Sequence, residues 1–176
     1  RVRDNVRRLV TACRGLPALF YTVGPELCTP PMTSPAVFAA LVTPYQRQLI
    51  EIIHDAGFAA AIHCHGRVRS ILEEVLGTGA DVLEPIEPPP QGDITLAELL
   101  QKVGDRLCLV GHIQDQEFHT VSPGTMTSRV EAIARLVNGR TGYVMTPTCT
   151  PFQHPASATF QHNYREWIEA ADRVLA

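Results

Sequence analysis

Paired cysteines, long apolar runs and blocks of like charge are all missing from this chain, and each absence removes a class of function. The five cysteines stand at 13, 28, 64, 108 and 149, an odd number without a Cys-x-x-Cys pair. That spacing tells against a disulfide framework and leaves any working cysteine as a thiol or a metal ligand. No stretch approaches the roughly 18 consecutive apolar residues of a membrane span, and Arg1 to Arg8 do not lead into the apolar core of a signal peptide. The expected compartment is the cytoplasm. Fifteen Lys plus Arg stand against 18 Asp plus Glu, a net charge of −3 without a basic block, so neither nucleic acid nor a membrane surface is an expected partner. A Walker-type phosphate loop, a Gly-x-Ser-x-Gly elbow and a dinucleotide fingerprint are absent as well, which leaves the common cofactor classes without support.

What is present is 176 residues, 45% hydrophobic and 19% charged, enough apolar material for the core of one domain. Arg1 to Cys13 has apolar residues at near-helical spacing and ends at Gly15. An apolar strand over Ala18 to Val23 enters a long loop rich in proline and threonine, from Pro25 to Pro35. Helical periodicity over Phe38 to Ala56 closes at Gly57, and a second strand, Phe58 to His63, follows at once. The alternation continues: a helix over Arg67 to Leu76, a strand from Asp81 to Leu83 or a little beyond, and a proline-rich loop to Gly92. Then come a helix over Ile94 to Val103, a strand at Leu107 to Val110, a helix at Met126 to Val137, a strand at Tyr143 to Met145, and a final helix from Tyr164 to Leu175.

Apolar strands alternating with helices imply right-handed βαβ units and a parallel sheet. The longer, more polar loops lie consistently between a strand and its following helix, where a (β/α) barrel builds its active site. The expected fold is therefore α/β, a (β/α)8 TIM barrel of which this chain supplies about five β/α units. Because a full barrel takes roughly 250 residues and the leading helix has no strand before it, the chain reads as the C-terminal part of a longer protein. Exposed sheet edges would then leave the piece unstable or favour its assembly with a partner or into a homo-oligomer.

The run Ile62-His63-Cys64-His65-Gly66 at the end of the second strand is the most informative. Alternation along a strand sends His63 and His65 to one side and Cys64 to the other. Two imidazoles at i and i+2 begin a zinc site, or form a pair of hydrogen-bonded histidines in a pocket mouth. Cys149, in Thr148-Cys149-Thr150 past the fifth strand, is a candidate third ligand or an ordinary small buried residue. Glu84 and His112, placed after the third and fourth strands, are candidates for catalysis, or else a solvated carboxylate and a packed histidine. Tyr21 and Glu26 at the end of the first strand could shape a substrate, although an aromatic there also suits the core. Glu73-Glu74 reads as a solvated helix face. Phe152 to His154 and Asn163 line the site mouth or cap a helix.

These residues fall into a familiar order. Gly24-Pro25-Glu26 with Pro31-Met32-Thr33-Ser34-Pro35, Phe38, Pro44-Tyr45, the His63 to Gly66 run, Gly79-Ala80-Asp81, Gly92-Asp93, Gly111-His112-Ile113 and Asn163-Tyr164 resemble the uroporphyrinogen decarboxylase superfamily, which includes cobalamin-dependent methyltransferases. The likeness covers essentially the whole chain and implies a (β/α)8 barrel of which this is about the second half. Its decarboxylases work without a metal and carry a late Gly-His-Gly, where this chain reads Thr148-Cys149-Thr150, a departure that tells against tetrapyrrole decarboxylation. Its methyltransferases bind zinc through a His-x-Cys and a late cysteine. Carried over, these positions fall on His63, His65 and Cys149, with histidine in place of the first cysteine.

The resemblance thus implies zinc in a His2Cys site and methyl transfer from a corrinoid, carried by a partner protein or offered as substrate, to a small-molecule thiol or related acceptor. Glu84 is then a candidate fourth ligand. Tetrapyrrole decarboxylation and a truncated, non-catalytic barrel are the alternatives.

Overall fold

A computed structural model describes residues 1–175, Leu175 through its backbone alone. Helix α1 (Val2–Ala12) leads into β1 (Leu19–Val23), a 3-10 turn at Pro25–Cys28, α2 (Pro35–Leu41), α3 (Thr43–Asp55) and β2 (Ala59–His63). A 3-10 turn at Arg69–Ile71 runs into α4 (Leu72–Leu76), then β3 (Val82–Ile86), α5 (Leu96–Val103) and β4 (Cys108–Ile113). After these come α6 (Asp115–Thr120), α7 (Thr125–Val137), β5 (Tyr143–Pro147) and α8 (Ala158–Leu175). All five strands are parallel and pair in chain order. A doubly wound sheet reverses its strand order at a switch point; this sheet does not, and its order is that of successive barrel staves.

The sheet has two unlike faces because side chains alternate along each strand. Ala60, Ile62, Leu83 and Leu109 form the outer face and are buried against Ile50 and Ile53 of α3, Val75 of α4, Leu99 and Val103 of α5 and Phe118 of α6. On the inner face the register aligns Leu19 with Ala59, Tyr21 with Ala61 and Val23 with His63, and His63 in turn with Glu84. Strands β1 and β5 are the edges, and the apolar Tyr21, Val23 and Val144 stay exposed. Among the described residues no helix is long and apolar enough to cross a membrane.

Gly57 stops α3 as its position suggested. At φ 87° it lets its own N–H reach the His54 carbonyl and that of Phe58 reach Ile53 (2.8 and 3.3 Å), a Schellman closure that turns the chain directly into β2. Other boundaries differ from the expected ones. The span Phe38 to Ala56 is two helices, because Pro44 has no N–H to donate and its ring collides with the carbonyl four residues earlier; α2 therefore ends at Leu41 and Pro44 sits in the first turn of α3. The stretch Arg67 to Leu76 is a 3-10 turn followed by a short helix. Helix α6 was not anticipated, and α8 begins at Ala158 rather than Tyr164. Strands β3 and β4 run further than expected, so Glu84 and His112 lie within strands, not after them.

Asn163 is fully buried, and its Nδ2 donates to the carbonyls of Phe118 and Val121 at 3.1 Å each. It caps the C-terminal end of α6 from α8 and takes no part in the site mouth. Asn163→Ala leaves both carbonyls unpaired, and urea unfolding should show a loss of about 1–3 kcal/mol.

Candidate functional site

His63 is the last residue of β2 and Glu84 its register partner on β3, so the parallel ladder alone brings the two side chains together. Their Nδ1 and Oε2 atoms are 2.5 Å apart. His65 follows after the strand has ended, and its Nδ1 lies 3.2 Å from Oε1 of Glu87. The other oxygen of Glu87 accepts the Gly66 N–H at 2.6 Å. The two imidazoles meet edge to face with centroids 4.8 Å apart. Each ring thus gives Nδ1 to a carboxylate and keeps Nε2 as its remaining nitrogen.

The Glu87 hydrogen bond holds the His65 imidazolium above its ordinary range, against the opposing effect of burial, and the charges of Glu87, Glu84 and Glu26 add to it. Burial pushes the Glu87 carboxyl upward, but the bonds from His65 and the Gly66 N–H outweigh it and leave the group below its usual range. Glu87 was not singled out in the sequence. It lies in the proline-rich loop after β3, and no spacing rule links a loop glutamate to a histidine 22 residues earlier.

Tyr21, His63, His65, Glu84 and Cys149 line one cavity of about 550 Å³, with Val110, Thr146 to Pro151 and Tyr164 completing the wall. The structure therefore gathers Tyr21, His63, His65, Glu84 and Cys149 on the inner face of the sheet and just past the ends of its strands. Burial, followed by the Glu84 charge, raises the Tyr21 hydroxyl above its usual range. Cys64 points into the core as strand alternation requires, fully buried, and burial pushes its thiol up to about 12; it is a packing residue, not a nucleophile.

His112 is the exception: this candidate for catalysis does not line the cavity that holds the other five. Gly111 and His112 both have left-handed backbones, φ 128° and 82°, which breaks the two-residue alternation beyond Val110. Glycine is needed at 111, where a Cβ would stand 2.9 Å from the Ile86 nitrogen. His112 lines a separate cavity of about 450 Å³ with Pro88, Gln114 and Arg129. Both of its ring nitrogens are buried without a hydrogen-bond partner, and burial, with the Arg129 charge, lowers its pKa to about 4.

Glu26 turns back on its own loop to accept the Gly24 N–H at 2.9 Å. Glu73 is solvated as expected, but Glu74 accepts a hydrogen bond from Thr43 Oγ1 at 2.9 Å and so ties α4 to α3. Phe152 is 82% exposed, just beyond Pro151 at the cavity wall.

As donors, two imidazole nitrogens and one thiolate suit zinc, and carboxylates at both Nδ1 atoms are the usual support of metal-binding histidines. The three donors share one cavity but do not converge. Among the described residues, no group of three or more His, Cys, Asp or Glu side chains is placed to hold a metal ion. The set fits zinc in kind, and gripping an ion requires the donors to close on it.

Residues 26–172 match the family model described as uroporphyrinogen decarboxylase (URO-D). The chain belongs to the uroporphyrinogen decarboxylase family. Solved structures agree on the fold. A methyltransferase from Methanosarcina mazei superimposes over 99% of this chain and 48% of its own length, with TM-score 0.72 and 17% identity. An HpcH/HpaI aldolase from Desulfitobacterium hafniense does so over 99% and 71%, with TM-score 0.53 and 16% identity. A 3-keto-D-glucoside 4-epimerase from E. coli covers 98% and 70%, with TM-score 0.55 and 13% identity. This member of the uroporphyrinogen decarboxylase family thus spans about half the length of the methyltransferase it resembles. No curated protein matches its sequence.

Proposed function

We propose that this chain carries the metal-binding wall of an enzyme that transfers a methyl group from a corrinoid to a thiol or related small acceptor, with zinc held by His63, His65 and Cys149. The observation that carries this reading is the pair of carboxylate-backed imidazoles, His63 on Glu84 and His65 on Glu87, in the cavity that Cys149 lines. A carboxylate at Nδ1 fixes the tautomer, makes Nε2 the more basic nitrogen and stops the ring from rotating. The likeness to a methyltransferase supports the branch. The five cysteines, all free thiols, suit a reducing cytoplasm.

Bound zinc would lower the pKa of an acceptor thiol and so supply the thiolate that a methyl transfer needs. The chain's own residues do the rest. Glu84 and Glu87 hold the two imidazoles in place, and Glu84 is also the carboxylate available as a displaceable fourth ligand. Tyr21, Val110 and Tyr164 line the cavity that would take the acceptor, with Thr146 in the same wall. Phe152, exposed just beyond the cavity wall, would offer an apolar contact to a partner that carries the corrinoid.

Glu87→Gln separates a supporting carboxylate from a bystander. It should weaken zinc binding about 10–100-fold in a competition titration. His54→Gln, which breaks a similar histidine–carboxylate pair with Asp81 (2.8 Å) outside this cavity, should leave zinc affinity unchanged. Equal effects from both variants, or none from Glu87→Gln, would count against the reading.

One observation favours a second reading, metal-free decarboxylation with His63 and Glu84 as an acid–base pair: at 2.5 Å that pair is complete without a third donor. It predicts activity that survives chelation.

A further inference from the structure

We infer that Gln114 is a positioning residue that sets Cys149 opposite the His65–Glu87 pair, an assignment that rests on the reading of these residues as one site. Gln114 lies just beyond β4 and is nearly fully buried. Its amide is used at both ends. Oε1 accepts a hydrogen bond from Thr148 Oγ1 at 3.2 Å, and Nε2 donates to the Pro88 carbonyl at 3.1 Å. Thr148 immediately precedes Cys149, and Pro88 immediately follows Glu87. One side chain therefore joins the loop carrying the sulfur donor to the loop carrying the carboxylate that grips His65.

Two further facts give the bridge its leverage. The Thr148 N–H bonds the Ile113 carbonyl at 2.8 Å, so the Cys149 loop is stitched to the end of β4 through both main chain and side chain at one point. Gln114 also borders the second cavity, of about 450 Å³, together with His112 and Pro88. On that side the two hydrogen bonds fix the orientation of the amide. A buried amide with one end unpaired is costly, so losing the Thr148 bond also loosens the Pro88 bond, and displacement on one loop is transmitted to the other.

The test uses Gln114→Met, which keeps side-chain length and removes both bonds, Thr148→Val, which removes one, and Thr148→Ser, which retains the hydroxyl. Two quantities are read beside thermal unfolding: zinc affinity, and the alkylation rate of Cys149 in metal-free protein, followed by peptide mass spectrometry with Cys28 as internal reference. Gln114→Met and Thr148→Val should each weaken zinc binding roughly tenfold and raise Cys149 alkylation several-fold relative to Cys28, while Thr148→Ser restores both. The double variant should resemble Gln114→Met alone, since the two residues act as one unit.

Unchanged zinc affinity and alkylation in folded variants would overturn the assignment, and so would Thr148→Ser behaving like Thr148→Val. If Gln114→Met does not fold, the comparison of Thr148→Val with Thr148→Ser decides alone. If the wild-type chain binds no zinc, the metal reading fails by itself, and the alkylation ratio still decides whether Gln114 holds Cys149 in place.

Discussion

Gly92→Ala is expected to destabilise the fold by more than about 3 kcal/mol and to weaken zinc binding with it. The cause is a close approach of main chain to main chain. A Cβ at position 92 would stand 1.9 Å from the Glu87 carbonyl oxygen and 2.8 Å from its carbon, and a backbone group cannot step aside as a flexible side chain can. The Gly92 N–H also donates to the Pro88 carbonyl at 3.1 Å, the oxygen that Gln114 uses. The added methyl must therefore push open the turn that presents Glu87 to His65 and Gly66. Urea unfolding should show the stability loss, and a competition titration should show a loss of zinc affinity on the order of that produced by Glu87→Gln. A variant with near wild-type stability and zinc binding would mean that the turn around Glu87 is not built as described.

The second large effect is on acid stability. Burial and Arg129 lower the His112 pKa to about 4 in the folded chain, against about 6.5 when unfolded. Between those values the unfolded chain binds the extra proton, so stability is fully present above about pH 6.5 and falls as pH drops towards 4. The shift corresponds to about 3 kcal/mol at most. The Arg129 guanidinium, which lines the same cavity, stays charged throughout this window. His112→Asn accepts the left-handed backbone and removes the titration. Urea unfolding at a series of pH values should show the wild-type chain losing markedly more stability between pH 6.5 and 4.5 than this variant. Parallel curves would show that the ring is solvated when folded.

Much of the fold was legible because it depends on pattern. The strand cores, the Gly57 closure and the parallel barrel-like order all follow from apolar periodicity and turn chemistry, which act over a few residues. The inward orientation of His63 was legible for the same reason, since alternation is a property of one strand, and His65, two residues past the strand's end, lines the same cavity. The missed features depend on contacts between segments distant in sequence. Helix α6 has a short polar run, Asp115-Gln116-Glu117, and its one buried apolar residue, Phe118, anchors it against Phe160, Tyr164 and Trp167.

Glu87 and Gln114 carry no local signature. Each acquires its role only when loops after neighbouring strands are laid side by side. His112 misled because the alternation rule holds for extended backbone, and the left-handed pair Gly111-His112 suspends it. A glycine before the histidine permitted that turn without requiring it.

Metal content tests most directly whether His63, His65 and Cys149 hold a metal. Chelator-washed protein, resupplied with zinc and desalted, is assayed by elemental mass spectrometry beside His65→Ala and Cys149→Ser. The account predicts about one zinc per chain in the wild type, lost in both variants while their unfolding curves remain cooperative. A folded wild-type chain that keeps no zinc, or variants that keep as much as the wild type, would contradict it and leave the His63–Glu84 pair as the chemistry of the site.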